Sequence, residues 1–92
     1  MKYEIFLSSK FKKDLKKIRR QGKNIEKLNV VTNLLALGEK LPPHYNDHSL
    51  TGNLTSYREC HIEPDWLLIY QIKNDVLVLH LVRTGSHSEI LE

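Results

Sequence analysis

The sequence predicts an α+β domain in which an N-terminal strand and a helical hairpin pack on a mostly antiparallel four-stranded sheet. Three observations lead to this prediction. Apolar residues alternate over residues 2–7, as they do in a strand. Two stretches between residues 10 and 37 then repeat apolar residues at helical spacing. Three apolar runs joined by short turns follow, and this order is typical of helices packed on one face of a sheet.

The two predicted helices each have recognisable ends and one apolar face. Ser8 and Ser9 are suitable N-caps for the first helix, which Gly22 ends. Asn24 caps the second helix, which Gly38 ends. Because only a short break separates the helices, they should form an antiparallel hairpin. The apolar faces consist of Phe11, Leu15 and Ile18 in the first helix and Ile25, Leu28, Val31 and Leu35 in the second.

The second half of the chain contains a loop and three strands. Residues 41–56 are rich in Pro, Asn, Asp, Ser, Thr and Gly, which favours an extended loop. Strand-like runs cover residues 57–62, 66–72 and 76–82, and short turns separate them. The last two runs are apolar on both sides, which predicts central strands covered on both faces. Residues 86–91 should form a terminal helical turn or an extra strand.

Length and composition restrict the class of protein. The 92 residues suffice for a single domain, residues 1–92, since single domains usually have about 100–150 residues. Cys60 is the only cysteine, which excludes a disulfide framework and a cysteine-rich zinc site. No apolar stretch approaches the roughly 20 residues that cross a membrane, and the first residues lack the layout of a signal peptide. We therefore expect a soluble, cytoplasmic protein without a membrane partner.

Charge is distributed unevenly along the chain. Residues 1–30 carry a net charge of +7 and residues 31–92 carry −4, so that the total is +3. Eight of the fourteen basic residues lie between Lys10 and Lys23. This asymmetry indicates a polyanionic partner such as nucleic acid, and a solvated helix face is the alternative interpretation.

Residues suited to catalysis lie at strand ends and turns in the second half. Cleavage of RNA without a metal needs a base for the 2′-hydroxyl, an acid for the departing 5′-oxygen and a cation for the phosphorus oxygens. Histidine suits the first two roles because its ordinary pKa is about 6.5. Arginine suits the third because its planar guanidinium matches phosphate oxygens. The candidate catalytic residues are His48, His61, Asp65, Arg83 and His87.

Each of these candidates also has a structural alternative. His48 can be an ordinary loop residue, His61 a half-buried strand residue and Asp65 a turn former. Arg83 can form a surface ion pair, and His87 can lie in an unstructured tail. By contrast, the structural interpretation is favoured from the start for two histidines, His44 beside two prolines and His80 inside an apolar strand.

Two further chemical interpretations are less favoured. Histidine and carboxylate groups near one another, such as His44 with Asp47 or His61 with Asp65, can bind zinc or manganese. On a strand followed by a proline turn, however, a gap of four residues does not place two side chains on one face. With no recognised ligand motif present, we expect no metal. Cys60 lies in mid-strand, where burial is the default, so it is not the expected nucleophile.

Motifs distributed over nearly the whole chain point to a family. They begin with Phe-x-Lys-Asp-Leu-Lys at residues 11–16, Leu-Pro-Pro at 41–43 and Asp-His-x-Leu-x-Gly at 47–52. They continue with Tyr-Arg-Glu-Cys-His-x-x-Pro-Asp-Trp-Leu-Leu-x-Tyr at 57–70 and Arg-x-Gly-Ser-His-Ser at 83–88. In this order and spacing, the chain resembles the RelE superfamily of bacterial type II toxins, and most closely its YafQ-type branch.

The resemblance implies a RelE-like, microbial-ribonuclease-like fold and a toxin that cuts mRNA in the ribosomal A site. No cofactor is implied, since the 2′-oxygen attacks internally and leaves a cyclic phosphate. The implied partners are a cognate antitoxin, the ribosome and mRNA, with operator DNA bound only through the antitoxin. His48, His61, Asp65 and His87 match active-site positions of the family, with His87 as general acid, and Arg83 matches its phosphate-binding arginine.

RNA contacts are expected from the basic N-terminal half and from two positions further along. Leu91 stands where the YafQ-type branch carries a phenylalanine that can stack on a base. The expected RNA-binding residues are Lys10, Lys12, Lys13, Lys16, Lys17, Arg19, Arg20, Lys23, Arg58 and Leu91. Two other functions stay open: a catalytically weakened homologue that acts as an antitoxin-bound transcriptional co-repressor, and a ribosome-independent nuclease.

Overall fold

The computed structural model describes residues 1–90 and contains a five-stranded sheet with the order β1-β5-β4-β3-β2. β1 runs parallel to β5, and all other neighbouring strands are antiparallel. The predicted α+β class and the mostly antiparallel sheet are therefore confirmed. The elements are β1 (Glu4–Leu7), α1 (Ser9–Arg20), α2 (Ile25–Ala36), β2 (His48–Ser49), β3 (Arg58–Glu63), β4 (Trp66–Lys73), β5 (Val78–Gly85) and α3 (His87–Ile90).

The strand count is the main difference from the sequence prediction, which had four strands. β2 lies inside the predicted loop and consists of two residues that pair with Glu59 and Arg58 of β3. A strand of two residues has no alternation pattern, so its formation depends on the neighbouring strand. The last strand begins later than predicted, because Leu77 adopts a positive φ of 53° and belongs to the preceding turn. It also ends later, at Gly85.

Both long helices begin at the predicted caps. The Ser8 hydroxyl accepts a hydrogen bond from the Phe11 amide at 2.9 Å, and the Asn24 side chain accepts one from the Glu26 amide at 3.1 Å. Their apolar faces join one core with the inner face of the sheet. The core includes Phe11, Ile18, Leu28, Val31 and Leu35 from the helices and Cys60, Ile62, Trp66, Leu68, Tyr70, Leu79 and Leu81 from the strands.

The opposite face of the sheet is also covered, as predicted for its central strands. Leu67 and Ile69 of β4 are buried there, although they do not belong to the core beneath the helices. Ile69 lines a small cavity together with side chains of the loop before β3 and of α3: Leu50, Leu54, Tyr57 and Ile90. The loop and α3 thus cover part of this outer face and define the rim of the candidate site.

Two register shifts interrupt the ladders beside this face. Ile62 is an extra residue in β3 opposite the ladder of β4, and Val82 is an extra residue in β5. Bulges of this kind re-aim the side chains that follow. After the second bulge, Arg83 pairs with Ile69 on the outer face, whereas Leu81 before it pairs with Tyr70 on the core face.

Candidate active site

The candidate site lies on the outer face of β2 and β3, away from the two long helices. Cys60 and Ile62 point into the core, so alternation along β3 directs Glu59 and His61 to the outer face. His48 of β2 pairs with Glu59. The strand pairing therefore brings His48 and His61, which are distant in sequence, onto one surface on either side of Glu59.

Three imidazole rings form a row on this surface. The ring centroids of His48 and His61 are 6.5 Å apart, and those of His61 and His87 are 5.7 Å apart. His61 is half-buried in the middle of the row, while the other two rings are exposed. The structure thus brings together three of the five predicted catalytic residues, and Asp65 joins them through His87.

Glu59 is a site residue that sequence reasoning missed. Its side chain is only 7% exposed, and its Oε1 atom lies 3.5 Å from Nε2 of His48 and 3.5 Å from Nε2 of His61. A single carboxylate is therefore shared by two of the three rings. The available signal was its position two residues before His61 on the same strand, which places both side chains on one face.

Each of the three histidines in the row has its Nδ1 atom beside an oxygen that can only accept a hydrogen bond. Consequently Nδ1 carries the proton, and Nε2 is the atom that remains for chemistry. The partners are the Asn46 carbonyl at 2.8 Å from His48, the Pro64 carbonyl at 3.3 Å from His61 and the Asp65 carboxylate at 2.9 Å from His87. The three rings therefore present equivalent nitrogen atoms.

Asp65 binds His87 twice. Its Oδ1 atom accepts hydrogen bonds from Nδ1 of His87 at 2.9 Å and from the His87 backbone amide at 3.2 Å. The side-chain hydrogen bond from His87 is the main cause that lowers the pKa of Asp65 below its ordinary value, and the backbone hydrogen bond is the second. Asp65 is thus ionised at neutral pH and orients the ring of His87.

α3 places His87 opposite the end of β3 through a capping interaction. The Glu89 carboxylate accepts hydrogen bonds from the amide and the hydroxyl of Ser86, which is the reciprocal part of a capping box. Its other oxygen lies 2.6 Å from Nζ of Lys17 on α1. The ion pair with Lys17, followed by the hydrogen bonds from Ser86, lowers the pKa of Glu89 to about 2. Glu89 therefore fastens the terminal helix to α1.

A second network holds the segment that carries His48. The Tyr70 hydroxyl donates to Asp47 at 2.6 Å, and Arg58 donates to both oxygens of the same carboxylate at 3.4 and 3.2 Å. Burial, then the bond to Asp47, raises the pKa of Tyr70, while the bond to Asp47 is the main cause that raises the pKa of Arg58. Arg58, predicted to bind RNA, thus also anchors the loop.

Arg83 lies apart from the histidine row, beside α1. Its Nε and Nη2 atoms donate to the Asp14 carboxylate at 2.7 and 3.1 Å, and this contact raises the pKa of Arg83. The same carboxylate accepts a hydrogen bond from the Thr84 backbone amide at 3.1 Å. Thr84 lies beyond the part of β5 that pairs with β1. By strand register Arg83 nevertheless shares a cross-strand row with Ile69, Glu59 and His48.

Most of the basic residues predicted to bind RNA are exposed on α1. Lys17 is engaged with Glu89, and the half-buried Lys23 lies with its Nζ 5.7 Å from the ring centroid of Trp66. Leu91 lies outside the described residues, so its predicted RNA contact stays a prediction. The exposed members are Lys10, Lys12, Lys13, Lys16, Lys17, Arg19 and Arg20.

An open cleft of about 660 Å³ borders the site at Asp65. Its wall includes Lys23 from the turn between α1 and α2, Lys27 from the first turn of α2, Ser86 just before α3 and Ser88 within it. Lys27 also pairs with Glu63 at 2.7 Å. Glu63, Asp65 and Glu89 also line the cleft, so both signs of charge border the Asp65–His87 pair.

The structure also bears on the metal and cysteine alternatives. Among residues 1–90, the group with metal-ligand spacing is Glu59, His61 and His87, whose ligand atoms lie within 4.8 Å of one another. It includes neither His44 nor Asp47. Cys60 is fully buried, and this burial raises its pKa to about 12, which agrees with the prediction that it is not a nucleophile.

Comparison with known proteins identifies the family. Residues 3–92 match the model of a family described as bacterial toxin of type II toxin-antitoxin system, YafQ. The chain is thus a toxin of the type II class. Within that class it belongs to the YafQ family, as the motifs predicted. Among residues 1–90, no helix is both long and apolar enough to cross a membrane.

Individual relatives match over nearly their whole length. The mRNA interferase toxin YafQ of Escherichia coli strain K12 is 36% identical over 88 residues, which cover 95% of this chain and 94% of the relative. A metal-bound toxin from Helicobacter pylori is 48% identical, with a TM-score of 0.91 and coverage of 96% and 98%. The E. coli DinJ-YafQ toxin-antitoxin complex contains a chain that is 34% identical, with a TM-score of 0.90 and full coverage of both chains.

Proposed function

We propose that the chain is a ribosome-dependent endoribonuclease that cuts mRNA in the ribosomal A site by metal-independent acid and base chemistry. The row of three histidines, each held at Nδ1 and presenting Nε2, is the observation that carries this proposal. Membership of the YafQ family and the mRNA interferase activity named for the E. coli relative support it. An active toxin is favoured over a weakened co-repressor because the described site retains three imidazoles and two carboxylates.

The proposed reaction uses the two ends of the histidine row. Nε2 of His48 accepts the proton of the 2′-hydroxyl, and the 2′-oxygen then attacks the adjacent phosphorus. The bond from phosphorus to the 5′-oxygen breaks, and His87 donates its Nε2 proton to that leaving oxygen. The products are a 2′,3′-cyclic phosphate and a 5′-hydroxyl, so that no water or cofactor is consumed.

The carboxylates have positioning roles in this proposal. Asp65 orients His87 through Nδ1 and compensates the positive charge of the protonated ring, as a third group does for a catalytic base. Glu59 does the same for the imidazolium that forms on His48, since its Oε1 atom lies 3.5 Å from Nε2 of that ring. His61 lies in the centre of the row, and we propose that the scissile phosphate binds beside it, between His48 and His87.

Arg83 and the basic helix are proposed to bind phosphate groups. Asp14 accepts one hydrogen bond from Nε and one from Nη2 of Arg83, so the N–H groups of Nη1 and the second N–H of Nη2 are the donors proposed for phosphate oxygens. The exposed lysines and arginines of α1 bind phosphate groups of ribosomal RNA without recognising its sequence. Binding through such contacts weakens as salt rises, because bound counterions are released from the RNA.

A cognate antitoxin is the proposed protein partner, since structural relatives of this chain occur in toxin-antitoxin complexes. Operator DNA would be reached only through that partner. A cytoplasmic location follows from the proposed action on ribosomes.

The decisive experiment maps cleavage by primer extension on translated and untranslated copies of the same message. We expect cuts only in the translated copy, and His87→Ala should lower the cleavage rate roughly 10²- to 10⁴-fold, the usual contribution of a general acid. His44→Ala is the matched control, because His44 is exposed and lies outside the histidine row. Equal cutting of naked RNA would establish a ribosome-independent nuclease instead, and intact messages with wild-type protein would favour the co-repressor.

A further inference from the structure

We propose that Asp14 is a positioning residue of the nuclease, which fixes the Arg83 guanidinium so that one edge of it is presented to a phosphate group of the mRNA. Asp14 itself would not contact the RNA. Its role in cleavage rests on the function proposed above, whereas the orientation of Arg83 by Asp14 can be measured without any RNA.

Asp14 is an isolated acidic residue within the basic helix. It lies in the middle of α1, and residues 5–25 contain no other aspartate or glutamate. Aspartate is less favourable in a helix interior than the lysines around it. A negative charge on this surface also opposes the binding of RNA phosphates. Asp14 therefore disfavours both the helix and the proposed RNA contact, and its tertiary contacts are where a compensating role is expected.

The Asp14 carboxylate binds one edge of the Arg83 guanidinium. Oδ2 accepts a hydrogen bond from Nε at 2.7 Å, and Oδ1 accepts one from Nη2 at 3.1 Å. A second edge, formed by Nη1 and the other N–H of Nη2, carries two parallel donors that match two oxygens of a phosphate. Because the guanidinium is planar and rigid, binding of the first edge by Asp14 determines the direction of the second.

The carboxylate is itself fixed. Its Oδ2 atom also accepts a hydrogen bond from the Thr84 backbone amide at 3.1 Å. β1 pairs with β5 only as far as Leu81, so at Thr84 the carboxylate takes the place of a strand partner. The Asp14 side chain is only 12% exposed, which limits its alternative conformations.

α1 is fastened to the same segment of the chain on both sides of Asp14. At the start of the helix, the Ser8 hydroxyl donates to the Val82 carbonyl at 2.6 Å, at the bulge of β5. One turn after Asp14, Lys17 pairs with Glu89 at 2.6 Å. The helix therefore lies along the chain from the bulge to α3, and Asp14 has little freedom to move relative to the end of β5.

A fixed guanidinium helps the reaction more than a mobile one. Donors that are already oriented need no rearrangement when charge develops on the phosphate oxygens. Arg83 shares a cross-strand row with Glu59 and His48, and neighbouring strands lie about 4.8 Å apart. The Arg83 backbone is thus about 10 Å from that of Glu59, two strands away. An arginine side chain and a phosphate group together span this distance.

Positive charge around Asp14 outweighs its own charge. Lys10 and Lys17 lie one turn before and one turn after it on the same helix face. A phosphate that approaches Arg83 therefore still meets a net positive surface. Loss of the Asp14 charge should strengthen RNA binding slightly, even though it impairs the orientation of Arg83.

The first experiment measures kcat and KM for cleavage of translated mRNA. Asp14→Asn keeps the shape of the side chain but removes its charge and one acceptor. We expect kcat to fall roughly 10- to 100-fold, with KM unchanged or lower. Asp75→Asn makes the same chemical change in an exposed turn and should behave as the wild type. An unchanged kcat for Asp14→Asn would overturn the proposal, and an increased kcat would show that Asp14 restrains Arg83 instead.

The second experiment asks whether Asp14 acts through Arg83. Arg83→Ala is compared with the double variant Asp14→Asn/Arg83→Ala, after both are checked for cooperative thermal unfolding. We expect the two kcat values to agree within about twofold, because a positioning residue has nothing left to position. A further tenfold decrease in the double variant, or an Arg83→Ala variant as fast as the wild type, would contradict the assigned role.

The third measurement follows the Arg83 side chain by NMR in the ¹⁵N-labelled full chain without RNA. The Nε–H signal is assigned by its absence from Arg83→Lys, and the exposed Arg20 provides a mobile reference. We expect slow exchange with water and a high heteronuclear NOE for Arg83 in the wild type, and values like those of Arg20 in Asp14→Asn.

A mobile Arg83 Nε–H in the wild type would overturn the orienting contact, even if Asp14→Asn does not fold. If the wild type shows an ordered Nε–H but cleaves no message, the proposed function and the role of Asp14 in cleavage both fail, while the orientation of Arg83 by Asp14 stands.

Discussion

Nδ1 of His87 lies 2.9 Å from Oδ1 of Asp65, and this contact joins the first residue of α3 to the turn between β3 and β4. Both side chains are exposed, at 51% and 74%, so the pair contributes little to the core. An exposed ion pair has a small effect on stability, typically about 0–1 kcal/mol. The contact is therefore better explained by orientation of the His87 ring than by stability of the fold.

Asp65→Asn should separate these two roles. We expect kcat for mRNA cleavage to fall roughly 10- to 100-fold because a misdirected ring loses its alignment with the leaving oxygen, while KM changes little. The free energy of unfolding should change by less than about 0.5 kcal/mol, as for other surface substitutions. Steady-state cleavage and urea unfolding measure the two effects. Asp75→Asn, an exposed turn aspartate, is the control, and a similar kcat for both variants would contradict the orienting role.

Glu89→Gln should change the dependence of stability on pH. The pKa of Glu89 falls from 4.5 to about 2 on folding, so the ionised carboxylate stabilises the folded protein above pH 4.5. That stabilisation disappears as the pH falls from 4.5 toward 2, because the carboxylate becomes protonated in the folded state as well. The variant should be less stable by about 1 kcal/mol at pH 7, the usual cost of losing a cap.

Urea unfolding from pH 7 to pH 2 tests this expectation. The difference between wild type and Glu89→Gln should persist down to pH 5 and shrink to nothing near pH 2. Glu39→Gln removes an exposed carboxylate just after α2 and serves as the control. A difference that stays constant over the whole range would show that Glu89 does not stabilise the fold through its charge.

Asp47→Asn should disturb the segment that carries His48. The carboxylate accepts hydrogen bonds from Tyr70 and Arg58, and an amide accepts only through one of its two terminal atoms. A displacement of His48 by about 1 Å should lower kcat by up to about 100-fold. Tyr70→Phe removes one donor only, so it should cost about 1 kcal/mol of unfolding free energy and have a smaller effect on kcat. Tyr57→Phe, outside this network, should behave as wild type in both assays.

Thr84→Val should destabilise the protein without a direct effect on the site. The Trp66 indole N–H donates to the Thr84 hydroxyl at 2.9 Å, and that hydroxyl donates to the Leu67 carbonyl at 2.8 Å, all in the buried interior. Valine has the same shape but leaves the indole N–H without a partner, which costs about 1–3 kcal/mol. Thr84→Ser keeps the hydroxyl and should cost only the lost methyl group, about 0.8 kcal/mol. Urea unfolding that ranks the serine variant below the valine variant would contradict this assignment.

The main elements were predictable because their signals are local. Ser8 and Asn24 cap the helices in the structure as they were predicted to do, and the apolar stripes that follow them enter the core. β2 was not predictable, since two residues have no periodicity and pair only because β3 is beside them. The start of β5 was misplaced because Leu77 is apolar but adopts a turn conformation.

By itself, the sequence determined the α+β class, the helix boundaries, the family and the five side chains proposed for catalysis. Only the tertiary structure decided which of those side chains meet. Glu59 was overlooked because its role depends on strand pairing that brings His48 and His61 to its two sides. Arg83 follows Leu79 and Leu81 at intervals of two residues, so regular alternation would place its side chain on their face of the strand, toward the core. The bulge at Val82 moves it to the outer face, because an extra residue reverses the alternation of a strand and leaves no local signal in the sequence.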